Sequence, residues 1–340
     1  MFLLIRKGKT LQIGELEQFL LKKYPARDAE SWDRTGLLVG DPTQKVTGVA
    51  TALDPSVAAV RRAKEAGANV LLTHHPAFLD APDSFLPAHV GAVQASKPGA
   101  LVYEAIHAGV ALMNFHTALD MNEEGLLALP GALGLSFERT VLPLEGQSQT
   151  GRGYGAFCRV PATFAGFSAD SSCAVTNAAD CANERAGAYE RAGDCERAGD
   201  CERAGDCERA GASERAGAES SPAFSVQLTV EQLAQYCKEV LGGTPRIWGN
   251  ANAVVQTVIT AQGSAGSMVP YALEWGADCL ICGELKYHSA LAAAQAGLNI
   301  LELGHDVSER IFAHVLCQAA KEAGAENVVE LPAVDNWICV

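Results

Sequence analysis

Twice along this chain the same hydrophobic pattern recurs: a strand-like apolar run, a helical stretch, a second strand, another helical stretch and a third strand. In the first copy Val46 to Leu53 reads as a buried strand, Pro55 to Ala66 as a helix stopped by Gly67, Asn69 to Thr73 as the second strand and Gly109 to Phe115 as the third. In the second copy the strands are Val254 to Ala261, Asp278 to Cys282 and Gly297 to Leu303, with a helix over Ser267 to Trp275. Strands alternating with helices imply parallel neighbours, because a parallel partner is reached only through a crossover, and such crossovers are right-handed. The expected fold is α/β, with two similar halves whose sheets are mostly parallel or mixed. Residues 1–136 form the first half, 137–222 a connecting segment and 223–340 the second half. Further helices are expected at Leu11 to Tyr24, at Leu228 to Leu241 between Thr229 as N-cap and Gly242 as stop, and at Val307 to Ala323.

The connecting segment contains a break in composition over about 168–221, where Glu-Arg-Ala-Gly recurs every six residues from Glu184 to Gly217. A six-residue step turns about 240° around a helix, so no face is repeatedly apolar, and each Gly costs about 1 kcal/mol relative to Ala. With six Arg against seven Glu and three Asp between Glu184 and Glu219, the stretch has no material for a core and reads as a disordered or loosely helical insertion. The competing reading of Cys195, Cys201 and Cys207 as a thiol-rich metal or redox tail lacks the paired C-x-x-C knuckles of zinc sites.

A formal net charge of −14 argues against attraction to nucleic acid or an anionic membrane. The opening run Met1 to Ile5 looks like an edge strand, since Arg6, Lys7 and Lys9 end it far short of a signal or membrane-spanning segment. Eleven cysteines, an odd number in a large chain, fit a reduced cytoplasmic setting better than a disulfide framework.

Metal-type ligands stand just past the strand runs. Adjacent His74 and His75 follow Leu71-Leu72-Thr73 and precede Pro76; a turn there could bring both imidazoles to one cleft, and the alternative is a pair of polar turn residues. His116 and Asp120 follow Leu112 to Phe115. Asp120 offers two oxygens that could bridge cations, or it caps the next helix, and His116 is a ligand, a supporting donor or a proton shuttle. His305 and Glu309 share one face of a helix start, although Asp306-Val307-Ser308-Glu309 is also a capping box in which Glu309 would reach a backbone amide. Both copies end on a His followed four residues later by a carboxylate. Glu284 and His288, past the strand that matches the one carrying His74, are candidates for proton transfer or substrate contact. Imidazole with carboxylate suits divalent zinc, iron or manganese, so the two halves are expected to face a shared metal-binding cleft. Cys279 and Cys282 lie three apart on a strand and face opposite sides, which makes them core residues rather than a chelating pair. The small-residue turn Gly263 to Ser267 could cradle an anion, an unspecific signal.

Taken in order, Ser31 to Gly40, His74-His75-Pro76, His116 to Asp120, Gly283-Glu284 and Gly304-His305 through Ser308-Glu309 resemble the Nif-three-like family, often labelled GTP cyclohydrolase 1 type 2 homologues. That resemblance implies a dinuclear metal centre between two similar α/β domains, in a subunit of a toroidal homohexamer. It puts the family's ligands on His74, His75, Asp120, His305 and Glu309, with His116 beside them. Arg34 stands where the family usually has Asn, and Cys282 where it has Thr. The implied activity is hydrolysis of a nucleotide or related heterocycle through a metal-activated water, opening a C–N bond, with phosphoester hydrolysis open to the same centre. The rival expectation is a non-catalytic ring that stores or delivers metal or serves as a scaffold.

Overall fold

Two mixed sheets carry the duplicated pattern. The computed structural model describes residues 10–91, 93, 97–146, 151–161 and 228–333. Its first sheet runs in the order β1 (Gly36–Val39), β4 (Ala111–Asn114), β3 (Val70–Thr73), β2 (Val49–Ala52), β11 (Val328–Glu330). The second runs β5 (Ser136–Pro143), β6 (Gly153–Arg159), β8 (Thr257–Ser264), β9 (Cys279–Glu284), β10 (Asn299–Glu302), β7 (Arg246–Trp248). A parallel trio lies in each, β2, β3 and β4 in one and β8, β9 and β10 in the other. The third member of each trio is flanked by an antiparallel strand, β1 on β4 and β7 on β10. The chain is therefore mixed α/β, with a repeat that extends to an edge strand the apolar pattern did not reveal.

The first trio reads as continuous apolar runs because both of its faces are covered: every residue of β2, β3 and β4 is buried. On one face lie α2 (Val57–Glu65) and α3 (Pro98–Ala108), through Val60, Ala63, Leu101 and Ala105. Ser56 starts α2 by accepting a bond from the Ala59 amide at 3.0 Å, and Gly67 at φ +75° turns the chain into β3. On the other face lie α1 (Ile13–Lys23) and α10 (Ile311–Glu322), through Leu16, Leu20, Phe312 and Leu316.

The second sheet is covered on one face by α7 (Val269–Glu274) and α8 (Tyr287–Gln295), through Ala272, Ala290 and Ala293. Its other face meets α6 (Val230–Leu241), capped by Thr229 as expected and by Gln232 in return, and α5 (Glu123–Ala132), through Leu233, Cys237, Leu126 and Leu129. The covering helices are exchanged. Helix α5 follows the first trio and packs on the second sheet, whereas α10 follows the second trio and packs on the first. Each is reached through a single short turn of helix, α4 (Thr117–Asp120) before α5 and α9 (His305–Glu309) before α10. The exchange draws the two short helices, and the strand ends that lead into them, toward one place.

The helix expected over Val307 to Ala323 is two helices, joined at Arg310. The Ser308 hydroxyl accepts from the Gly263 amide at 3.0 Å and donates to the His305 carbonyl at 2.8 Å, so a side chain engages a carbonyl of the first turn and ties that turn to β8. Ser136–Pro143 and Gly153–Arg159, at and within the stretch read as a connection, are hydrogen-bonded strands of the second sheet. Cys279 packs in one core layer and Cys282 in the opposite one, both as free thiols. The Met1 to Ile5 run and the hexapeptide stretch with Cys195, Cys201 and Cys207 lie outside the described residues. Among the described residues, no helix is long and apolar enough to cross a membrane.

Candidate metal centre

Each trio delivers its polar residues from the carboxyl ends of its strands, where side chains escape the apolar layers. At the end of β3 the backbone keeps pairing with β2 through the His74 and His75 amides, and the Thr73 hydroxyl donates to the His75 carbonyl at 2.7 Å. That tight corner turns two successive imidazoles to the same side, with ring centroids 5.1 Å apart. His116 and Asp120 bracket α4 past β4, and His305 and Glu309 are the ends of α9 past β10. Gly263, at φ +60°, lets β8 lie against this turn: a Cβ there would stand 2.2 Å from Glu309 Oε1.

Three overlapping groups result, His74 with His75 and His116, His75 with His305 and Glu309, and His74 with Asp120 and Glu309, with donor atoms within 4.8 Å of one another in each. These groups could hold a metal ion. Every ring is anchored through Nδ1: His74 to the Phe115 carbonyl at 3.1 Å, His75 to Asp54 Oδ1 at 2.7 Å, His116 to Asp33 Oδ1 at 3.1 Å and His305 to Glu284 Oε1 at 3.1 Å. An acceptor at Nδ1 places a proton there and leaves Nε2 as the atom offered to a cation.

His74 provides the test of fit. Its Nε2 is buried with no hydrogen-bond partner among the described residues, 3.8 Å from Asp120 Oδ1 and 4.0 Å from Glu309 Oε1. A bare lone pair facing two carboxylate oxygens is a buried arrangement of acceptors without a donor, which costs free energy until a cation or proton enters. Two oxygens and an imidazole nitrogen are also the donor chemistry of zinc, iron and manganese sites.

The electrostatics agree. Burial pulls the His74 imidazole down to about 3, so it stays neutral and ready to ligate; the Phe312 ring lies 4.3 Å from it. Burial opposes charge on His75 too, but the bonds to Asp54 and Glu309 outweigh it and carry the group up to about 10. The bond to Glu309 lifts His305 to about 9. Burial would raise Glu309, yet His305 and His75 hold its carboxyl well below the usual range. Burial and the charge of Glu309 push Asp120 well above it. Two carboxyl groups in one pocket cannot both ionise without a counter-ion, and protons on Asp120 and the imidazoles stand in for one.

His74, His75, His116, Asp120, His305 and Glu309 are thus brought together. Asp120 is not a helix cap, since the Asn122 side chain accepts the Glu124 amide at 3.1 Å to start α5. Nor does Glu309 close a capping box: its carboxylate goes to His75 and His305, 3.0 and 3.1 Å away. Glu284 stands one step back, on His305 and on the Ser264 hydroxyl at 3.0 Å. His288 is exposed, beside the Tyr287 ring at 5.3 Å, and belongs to none of the three groups. Sequence reasoning missed Asp33 and Asp54, which orient His116 and His75. Each sits where a signal existed, Asp33 in the Trp-Asp motif and Asp54 directly after a buried strand.

The family model described as Duf34/NIF3 (NGG1p interacting factor 3) matches residues 11–335. A Streptomyces coelicolor protein named GTP cyclohydrolase 1 type 2 homolog is 26% identical over 304 residues, covering 88% of this chain and 81% of that protein. A Staphylococcus aureus protein of the same name is 36% identical over 126 residues, covering 37% of this chain and 32% of that one. Among solved structures, a Bacillus cereus protein related to NIF3 superposes with a TM-score of 0.68 at 20% identity, over 98% of this chain and all of the other. A Staphylococcus aureus hypothetical protein gives 0.67 at 22%, over 98% and 100%. At these identities the structures are alike in fold.

Proposed function

The chain belongs to the Duf34/NIF3 family, and from that premise we propose that it is a metal-dependent hydrolase whose centre takes two divalent cations, zinc, iron or manganese, and acts on a nucleotide or related heterocycle. The observation that carries the reading is the overlap of the donor groups: Glu309 belongs to one with His75 and His305 and to another with His74 and Asp120, so one carboxylate can serve two neighbouring cations. The name shared by the Streptomyces and Staphylococcus relatives, GTP cyclohydrolase 1 type 2 homolog, supports a C–N bond in a nucleotide ring as the target.

Divalent cations held there supply Lewis acidity and an activated water near neutral pH. The chain's own residues fix the rest. Phe115, Asp54 and Glu284 hold His74, His75 and His305 in the ligating tautomer, so Glu284 acts as a positioning residue rather than as a proton carrier. His116, braced at Nδ1 by Asp33, offers Nε2 as the group that takes and returns a proton during attack. Phe312 packs against His74 and keeps water from that side of the pocket. We extend the proposal to self-association as a homohexameric ring in the cytoplasm.

Metal analysis of purified protein, followed by a screen of nucleotides with the wild type and Asp120→Ala, tests the reading. Turnover that disappears in Asp120→Ala supports hydrolysis. Bound metal without turnover on any nucleotide supports storage or delivery of metal instead.

A further inference from the structure

Trp32 is a large apolar side chain that faces solvent beside the centre: it is 54% exposed, and its ring centroid lies 5.8 Å from that of His116 at 69°. At that angle the two rings meet edge to face and are not stacked. A mobile surface tryptophan would be unremarkable, but this one is fixed on both sides. Two residues before it, the Glu30 amide donates to the Thr117 hydroxyl at 2.9 Å; immediately after it, the Asp33 carboxylate accepts the Thr117 amide at 3.0 Å and His116 Nδ1 at 3.1 Å. The backbone that carries the indole is thus tied to the first turn of α4, the turn that ends on Asp120.

We propose that Trp32 is a specificity-determining residue, a preordered platform on which a planar aromatic ring of the substrate stacks beside His116. An aromatic side chain carried on an anchored backbone loses less conformational freedom on binding than one on a free loop, and stacking accepts any ring with a π-face. The inference rests on the reading of the centre as one that acts on a heterocycle, and it adds the residue that selects for a ring over a bare sugar phosphate.

Guanosine monophosphate and ribose 5-phosphate, titrated into metal-loaded protein by calorimetry, separate ring from phosphate. The platform predicts that the nucleotide binds more tightly than the ringless probe and that Trp32→Ala weakens only the nucleotide, by about tenfold or more. Trp32→Phe should restore most of the loss, with metal content unchanged in both variants. Equal binding of the two probes, no binding of either, or an unchanged nucleotide Kd in Trp32→Ala overturns the platform. So does loss of metal in that variant, which would make Trp32 a packing support for His116, or a change of oligomeric mass alone, which would make it an interface residue. A nucleotide that stacks but is never hydrolysed leaves the platform standing while the hydrolase reading fails.

Discussion

The two trios share strands, crossovers, flanking edge strand and terminal helical turn, yet they equip the centre unequally. The first contributes His74, His75, His116 and Asp120; the second contributes His305 and Glu309, and where the first has its histidine pair the second has Glu284 one step removed from the donor groups. The scaffold and its closing His and carboxylate recur in both halves, as His116 with Asp120 and His305 with Glu309, but the histidine pair does not. The first half supplies most of the imidazoles, while the second supplies the carboxylate common to two donor groups. A centre built this way fails differently when each half is damaged.

The largest difference is expected at Glu309. Glu309→Ala removes a member of two donor groups and leaves His75 and His305 Nε2 without their acceptor, so metal content measured by plasma mass spectrometry should fall to near zero. Asp120→Ala, which touches one group, should leave about half of it. Equal losses in the two variants would erase the distinction between a shared and an unshared carboxylate.

Next in size is the response to pH. In the metal-free protein His75 and His305 hold protons up to about 10 and about 9, whereas His74 is neutral down to about 3. A cation must displace the protons on His75 and His305 and the one that Asp120 holds, but none from His74. Affinity therefore rises with pH until those groups lose their protons unaided, and it falls as pH drops, by about one decade per unit for each proton displaced. Calorimetry in buffers of different ionisation enthalpy should show proton release at neutral pH, and a buffer-independent heat would contradict it.

Smaller effects belong to the residues behind the rings. Asp54→Asn and Glu284→Gln should each weaken metal binding by about tenfold without unfolding the protein, because they loosen a tautomer and not a core. Phe312→Ala, by contrast, should cost about 3–5 kcal/mol in a denaturant titration, since that ring is wholly buried between α10 and the first sheet. If Asp54→Asn destabilised the fold as much as Phe312→Ala, the split between positioning and packing would be wrong.

What the sequence made legible follows from the same asymmetry. The trios were readable because strands buried on both faces need unbroken apolar runs, and because Gly67 and Gly297 punctuate them. Strands β1, β7 and β11 were not, being three or four residues long and only partly buried, and β11 joins a sheet whose other strands lie over two hundred residues earlier. The six polar residues at the centre could be picked out because each follows such a run. Asp33 and Asp54 stand at marked places, beside Trp32 and just past a buried strand, yet nothing in the sequence says that either acid anchors an imidazole. The exchange of α5 and α10 was equally hidden: an amphipathic helix advertises that it covers a sheet but not which one.

The central claim is that one carboxylate from the second half and imidazoles from the first meet around the same cations. Anomalous scattering from crystals of the metal-loaded protein, recorded at the absorption edge of the bound element, tests it most directly. Two neighbouring peaks are expected, with Glu309 oxygens about 2.0–2.2 Å from both and the nitrogens of His74 and His75 on different ones. A single peak with Glu309 turned away, or metal located elsewhere on the chain, would contradict the account.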